Sequence, residues 1–228
     1  MAVAKANGTA SRSRSSNVTR QRILDAAAKV FRDKGYAGAR LADIAAVAGL
    51  QGAGSLYYHF PSRDALVEEV LRAGVAHTVE FVQRAVDALP AEATPGERVQ
   101  TAMRAHLLCV LSIGDYTSAN IRIFGQVPAD IRRKHLVAQR RYGAYFRQLL
   151  EAAQGAGEIR ADVDLSVSRM LAFGAMNWSV EWFDPKVSSA ERVADELVGM
   201  VFRGISPAGP AAPSLNGAKS RRRPAVRG

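Results

Sequence analysis

Six residues that can hydrogen-bond or closely approach a nucleic acid fall between positions 51 and 59: Gln51, Gly54, Ser55, Tyr57, Tyr58 and His59. None is acidic. Together they offer an amide, three hydroxyls and an imidazole, which are groups that contact base edges and phosphate oxygens. An amide pairs well with adenine, so Gln51 is a candidate base reader, with a solvated turn residue as the alternative. Ser55 and the amides beside it would hold a phosphate. The hydroxyls of Tyr57 and Tyr58 suit phosphate or base contact, although one of the two rings could serve the core instead. His59 is either a phosphate contact or a surface histidine without a role. Arg40 and Arg63 flank the group and read as phosphate contacts or as plain solvated charge.

Elsewhere the chain offers little catalytic chemistry. There is no nucleophile elbow, no phosphate-binding glycine loop and no metal-ligand spacing. His59, His77, His106 and His135 are spread without pairing. The single cysteine, Cys109, lies among Leu107, Leu108, Val110 and Leu111, which reads as a buried thiol. We therefore expect no enzyme, no metal and no cofactor. With no signal peptide and no apolar run near the ~18 residues of a membrane span, a cytoplasmic protein is expected.

The net charge of +10 sits at the two ends. Lys5, Arg12, Arg14, Arg20 and Arg22 give +5 before position 23, and Lys219, Arg221, Arg222, Arg223 and Arg227 give +5 after 218, leaving a neutral body. Basic arms attract a polyanion such as DNA, or simply keep unstructured tails soluble. Residues 1–16 and 206–228 lack apolar periodicity and read as disordered.

The elements that must position these groups are helical. Ile23, Ala26, Ala27, Val30 and Phe31 form one stripe from Val18 to Gly35, with Gly35 as the stop. A short helix over 41–48 would turn Ile44, Ala45 and Val47 inward and end at Gly49. A second would span about 53–59 and stop before Pro61. Two short helices across a tight glycine turn make a helix-turn-helix, packed through Ile44, Val47, Leu50, Leu56 and Phe60. Ser62 would cap a helix running toward Leu89. Thr94-Pro95-Gly96-Glu97 and Ser188-Ser189-Ala190-Glu191 read as capping boxes. Between them helices are expected at about 96–113, 117–125, 128–154 and 164–183, and a last one at 189–203.

Residues 17–63 closely resemble the N-terminal domain of the tetracycline-repressor family. The segments that carry the resemblance are Arg22-Ile23-Leu24-Asp25-Ala26-Ala27, Phe31 with Gly35-Tyr36, Asp43-Ile44-Ala45, Ala48-Gly49-Leu50, and Leu56 through Arg63. The resemblance implies an all-α dimer of about nine helices. Its N-terminal three-helix domain (17–63) would read a pseudo-palindromic operator. Its C-terminal domain (64–205) would bind a small-molecule effector that relieves repression. Two departures stand out. The family usually has Thr where Ala39 stands, capping the second helix, and Ala cannot cap. The run 50–55 is one residue longer than the usual turn, an insertion that Gly52 and Gly54 could absorb.

In the second half, Met103, His106, Leu107 and Val110 share one helical face, as do Tyr142 and Phe146, and Phe173, Met176 and Asn177. They are candidates for an apolar ligand pocket with polar anchors, or for a filled core. Trp178 and Trp182 with Leu171 and Ala175 could form a dimer surface with Val193, Leu197, Met200 and Val201, as the resemblance implies for the last two helices, or the tryptophans could belong to the core of their own chain. The stretch 173–183 is weakly similar to family members that respond to acyl-coenzyme A thioesters. Arg132, Arg133, Lys134, Arg140 and Arg141 could meet the phosphates of such a ligand. The reading is thus a ligand-released repressor of small apolar or acyl type. A non-specific basic nucleic-acid binder is the rival.

Overall fold

The computed structural model of the chain describes residues 3–207, so the expected basic tail beyond Pro207 lies outside the described residues. Among the described residues eight α-helices follow one another: α1 (Val3–Gly38), α2 (Leu41–Val47), α3 (Arg63–Asp87), α4 (Pro95–Leu108), α5 (Asp115–Ile123), α6 (Ala129–Gly155), α7 (Leu165–Trp182) and α8 (Ala190–Ile205). A 3₁₀ turn (Ala53–Tyr58) lies between α2 and α3, and a π turn (Cys109–Ile113) extends α4. The all-α expectation is met, and no strand occurs among the described residues.

The helix starts are written locally. Ser62 Oγ accepts from Ala65 N at 3.0 Å to begin α3. Thr94 and Glu97 close the full capping box of α4, with bonds of 3.2 and 2.8 Å. Gly35 (φ 68°) kinks α1 three residues before its end, and Gly49 (φ 67°) follows the cap of α2, both at a positive φ that favours glycine.

Four expectations change. The backbone of 3–16 is helical rather than irregular. This proline-free stretch extends a helix that is already nucleated and anchored from residue 16 onward. Val47 faces outward (50% exposed), and Ala48 takes the inward position. The cap of α8 is Ser189, which accepts from Arg192 N. Starting from Ser188 would have put Glu191 at the reciprocal position; the register used instead buries Ala190, Ala194, Leu197 and Val198. The cap position of α2 is Arg40, without a side-chain bond, while Ala39 is buried behind it. A threonine at 39 would therefore place its hydroxyl in the core.

Two cores share the long helix α3. Leu66, Val67, Val70 and Leu71 join Ile23, Phe31, Ile44, Leu56 and Phe60, and the same cluster takes in Ala119 and Ile123 of α5 and Ile131 of α6. Val82 and Val86 belong to the second core, with α4, α6, α7 and α8. The reading domain expected to end at 63 thus shares its core with later helices. Between the cores, α3 and α5 cross closely. A Cβ on Gly74 would lie 2.7 Å from Tyr116 O and 3.2 Å from Asn120 Cβ, so only glycine fits there without a shift.

Two buried histidines sit near this crossing. The His135 Nε2–H donates to Asn120 Oδ1 at 3.0 Å, while Asn120 Nδ2 donates to Leu71 O at 3.2 Å. His106 bonds Tyr142 Oη at 2.8 Å and Asn177 Oδ1 at 3.2 Å. Burial lowers both imidazoles to about 4. The unfolded chain takes up protons as pH falls through about 6.5, whereas the folded chain resists until about 4. Stability therefore declines with falling pH across that window.

Two predictions follow from these local arrangements. Arg40→Ser gives α2 the side-chain cap it lacks, which is worth about 1 kcal/mol or a rise of about 2–4 °C in Tm. A melting temperature that is unchanged or lower would refute it. His135→Gln should narrow the difference in urea midpoint between neutral pH and pH 5; an equal difference in both proteins would refute the assignment.

Candidate DNA-reading surface and ligand cavity

The DNA-facing candidates are held outward by what lies beneath them. Ile44, Ala45, Ala48, Leu56 and Phe60 are buried. Residues 53–58 form a 3₁₀ turn where an α-helix was expected, and side chains three apart in such a turn eclipse one another. Ala53, Leu56 and His59 form the inner row, with Leu56 buried and the other two half-buried. Gly54 with Tyr57, and Ser55 with Tyr58, form the outer rows. All four are exposed, Tyr57 at 55% and Tyr58 at 84%. Neither tyrosine serves the core. Gln51 and Gly52 are exposed, and Ala53 turns inward, which places the longer turn. Gly52 is extended (φ 176°) and Gly54 has no positive φ, so the insertion uses no conformation reserved for glycine. The Tyr58 and His59 rings meet edge to face at 5.1 Å.

The arginines divide. Arg40 is exposed beside this surface. Arg63, expected to contact phosphate, turns inward: it donates to Tyr36 O and lies 4.1 Å over the Tyr36 ring. Two cations counted with the basic arm are likewise engaged. Arg20 pairs with Glu69 at 3.1 Å, and Arg22 donates to Ala48 O at 2.6 Å, satisfying the end of α2.

In the ligand half, a cavity of about 230 Å³ opens between α3, α4, α5, α6 and α7. It brings together four of the nine expected pocket residues: His106, Tyr142, Phe173 and Asn177. Asn177 Oδ1 can only accept, so His106 carries its proton on Nε2 and takes the Tyr142 hydroxyl proton at Nδ1. Met103, Phe146 and Met176 line a separate void of only about 20 Å³ behind Phe173. Leu107 and Val110 line neither cavity and are core, at 0% and 2% exposed. The cavity's remaining polar wall was missed from the sequence: Thr78, Thr117, Asn120, Gln139 and Arg169. A helical stripe marks the inward face but does not show where space is left.

The cavity touches the reading domain through α5. Thr117, Asn120 and Ile121 line it. At the start of the same helix, Asp115 pairs with Arg32, and Tyr116 Oη donates to Asp25 Oδ1 at 2.7 Å while accepting from Gln21 at 3.1 Å. Burial, followed by the Asp25 carboxylate, pushes the Tyr116 phenol well above its ordinary value, so it stays protonated and donating.

Of the expected dimer residues, Leu171 (70%), Trp178 (67%), Trp182 (56%) and Met200 (62%) are exposed, which excludes an intrachain core for the tryptophans. Leu197 is buried in the second core, and Val193 and Val201 are half-buried against it. The amphipathic face of α8 packs mainly into its own subunit.

Comparison with known proteins agrees with this architecture. The family profile "Tetracyclin repressor-like, C-terminal domain" matches residues 92–205, half of the chain, and "Bacterial regulatory proteins, tetR family" matches residues 23–70. The HTH-type transcriptional repressor KstR2 of Rhodococcus jostii (strain RHA1) is 28% identical over 199 residues, covering 82% of this chain and 91% of that protein. AibR, in its crystal structure with isovaleryl coenzyme A and operator DNA, is similar with a TM-score of 0.73 at 26% identity, covering 81% of this chain and 98% of that one. The ketosteroid regulator KstR2 of Mycobacterium tuberculosis shares the fold, with a TM-score of 0.71 at 23% identity over 82% and 94% of the two chains. The chain belongs to the tetracycline-repressor family of transcriptional regulators.

Proposed function

We propose that the protein is a cytoplasmic, homodimeric repressor that binds a pseudo-palindromic operator through residues 51–59 and is released by an acyl-type ligand, a coenzyme A thioester in the first instance. The observation that carries this reading is that one short helix, α5, lines the cavity with Asn120 and Ile121 while Tyr116 holds α1 of the reading domain. Occupation of the cavity would move α5 against α3 and α1, and so change the separation of two recognition turns in a dimer. A ligand shifts that equilibrium only as far as it prefers one spacing. α3, which begins just after the recognition turn and lines the cavity with Val75 and Thr78, is a second lever.

The coenzyme A class is supported by the similarity to AibR and by α6. Gln139 and Gly143 line the cavity, while Arg133, Arg140 and Arg141 on the same helix are exposed and could meet phosphates. Lys134 is engaged with Glu68 at 2.6 Å. For the dimer, Val167, Met170, Leu171, Trp178 and Trp182 expose an apolar stripe along α7, continued by Met200 of α8. Regulators of this family act as dimers, and a second copy would cover that stripe. No catalytic step enters this reading.

The test is footprinting on the DNA upstream of the protein's own gene. We expect protection of one pseudo-palindrome, preferred over random DNA by roughly 10³. Tyr58→Ala should weaken it at least about tenfold, since base or phosphate contacts are each worth ~1–3 kcal/mol. Short acyl-coenzyme A thioesters should abolish the footprint. Uniform coating of all DNA would instead favour the non-specific binder, and an unaffected Tyr58→Ala variant would displace the proposed surface.

A further inference from the structure

One cation in the cavity wall has no partner. Arg169 of α7 makes no hydrogen bond or ion pair among the described residues, and its Nε is shut off from solvent with nothing to accept its proton. A buried charged donor left without an acceptor is costly, and a guanidinium cannot shed its proton to escape. The fold nevertheless makes room for it. A Cβ on Gly143 would sit 2.7 Å from Arg169 Nη1, so a larger residue on α6 would push the guanidinium aside from its present place. Nothing else in the wall offsets the charge. No acidic residue lines the cavity, His106 is neutral above about pH 4, and Gln139 and Asn177 are uncharged.

Nε is shut off, so a carboxylate in the cavity would be met by the terminal nitrogens of this half-buried side chain, in a charge-assisted hydrogen bond. Phe173, on the same helix one turn on, adds an apolar wall. An apolar cavity of ~150 Å³ accommodates benzene, so one of about 230 Å³ has room for a ring or a short branched body.

We propose that the effector carries a carboxylate, bound by Arg169, on a compact apolar body. This rests on reading the cavity as the effector site. The carboxylate could belong to a free organic acid or be the second carboxyl of a dicarboxylic acyl thioester.

Calorimetry on the full chain tests this with matched probes: cyclohexanecarboxylate and benzoate, each against its amide, and glutaryl-coenzyme A against valeryl-coenzyme A. In at least one pair the carboxylate should bind roughly ten- to hundredfold tighter than its uncharged partner. The free acids and the thioester pair distinguish the two sources. Arg169→Met should erase that preference while melting no lower than the parent, because the orphaned donor is gone. Gly143→Ala keeps the charge but displaces it, and should weaken carboxylate binding as well. If no carboxylate outbinds its partner in any pair, including the case where no probe binds, the proposal is wrong. It is equally wrong if Arg169→Met keeps the preference. Operator release is scored separately. Carboxylates that bind through Arg169 without releasing DNA would overturn the repressor mechanism and leave this site standing; an uncharged thioester that still releases DNA from Arg169→Met would do the reverse.

Discussion

The phenol of Tyr116 is wedged between Gln21 and Asp25 of α1, and the account of how the two halves communicate depends on that contact. Around it the packing is tight. Arg32 and Asp115 pair next to it, Gly74 lets α3 approach the α5 backbone, and Ala119 and Ile123 belong to the same core as Leu56 of the 53–58 turn. Closely packed elements move as units rather than deforming smoothly. A helix held this way at one end and lining a cavity along its length is suited to carry a displacement from one to the other.

The cavity's position follows from the two cores. α3 contributes Leu66 to Leu71 to one and Val82 and Val86 to the other, and in the stretch between them Val75 and Thr78 face open space. Polar groups gather there. Thr78 and Thr117 share a hydrogen bond at 3.1 Å, Asn120 links Leu71 O to His135, and His106 links Tyr142 to Asn177. These bonds satisfy buried groups without filling the volume, so the gap between the cores has defined walls and an open interior.

Local signals were the most legible part of the sequence. The Ser62 cap, the Thr94–Glu97 box, the glycine stops and the helix-turn-helix spacing all depend on residues within a few positions of one another. Errors arose where tertiary packing chose between neighbours. Ala48 is inward instead of Val47, Ser189 caps instead of Ser188, and Arg63 reaches back to Tyr36 instead of outward to solvent. The pocket was half legible: His106, Tyr142, Phe173 and Asn177 were placed by helical periodicity, but Leu107 and Val110 show the same periodicity and are solid core. Arg169 and Asn120 gave no signal, because a polar residue within a helix reads as solvated until a neighbouring helix covers it.

Linkage requires that if the cavity influences DNA binding, DNA binding must influence the cavity by the same free energy. Amide hydrogen exchange with and without the upstream operator fragment tests this with no effector identified. The account predicts that operator binding changes exchange across α5, residues 115–123, and that Tyr116→Phe still binds the fragment but largely loses that change. Exchange in α5 that is indifferent to operator in the parent protein would contradict it.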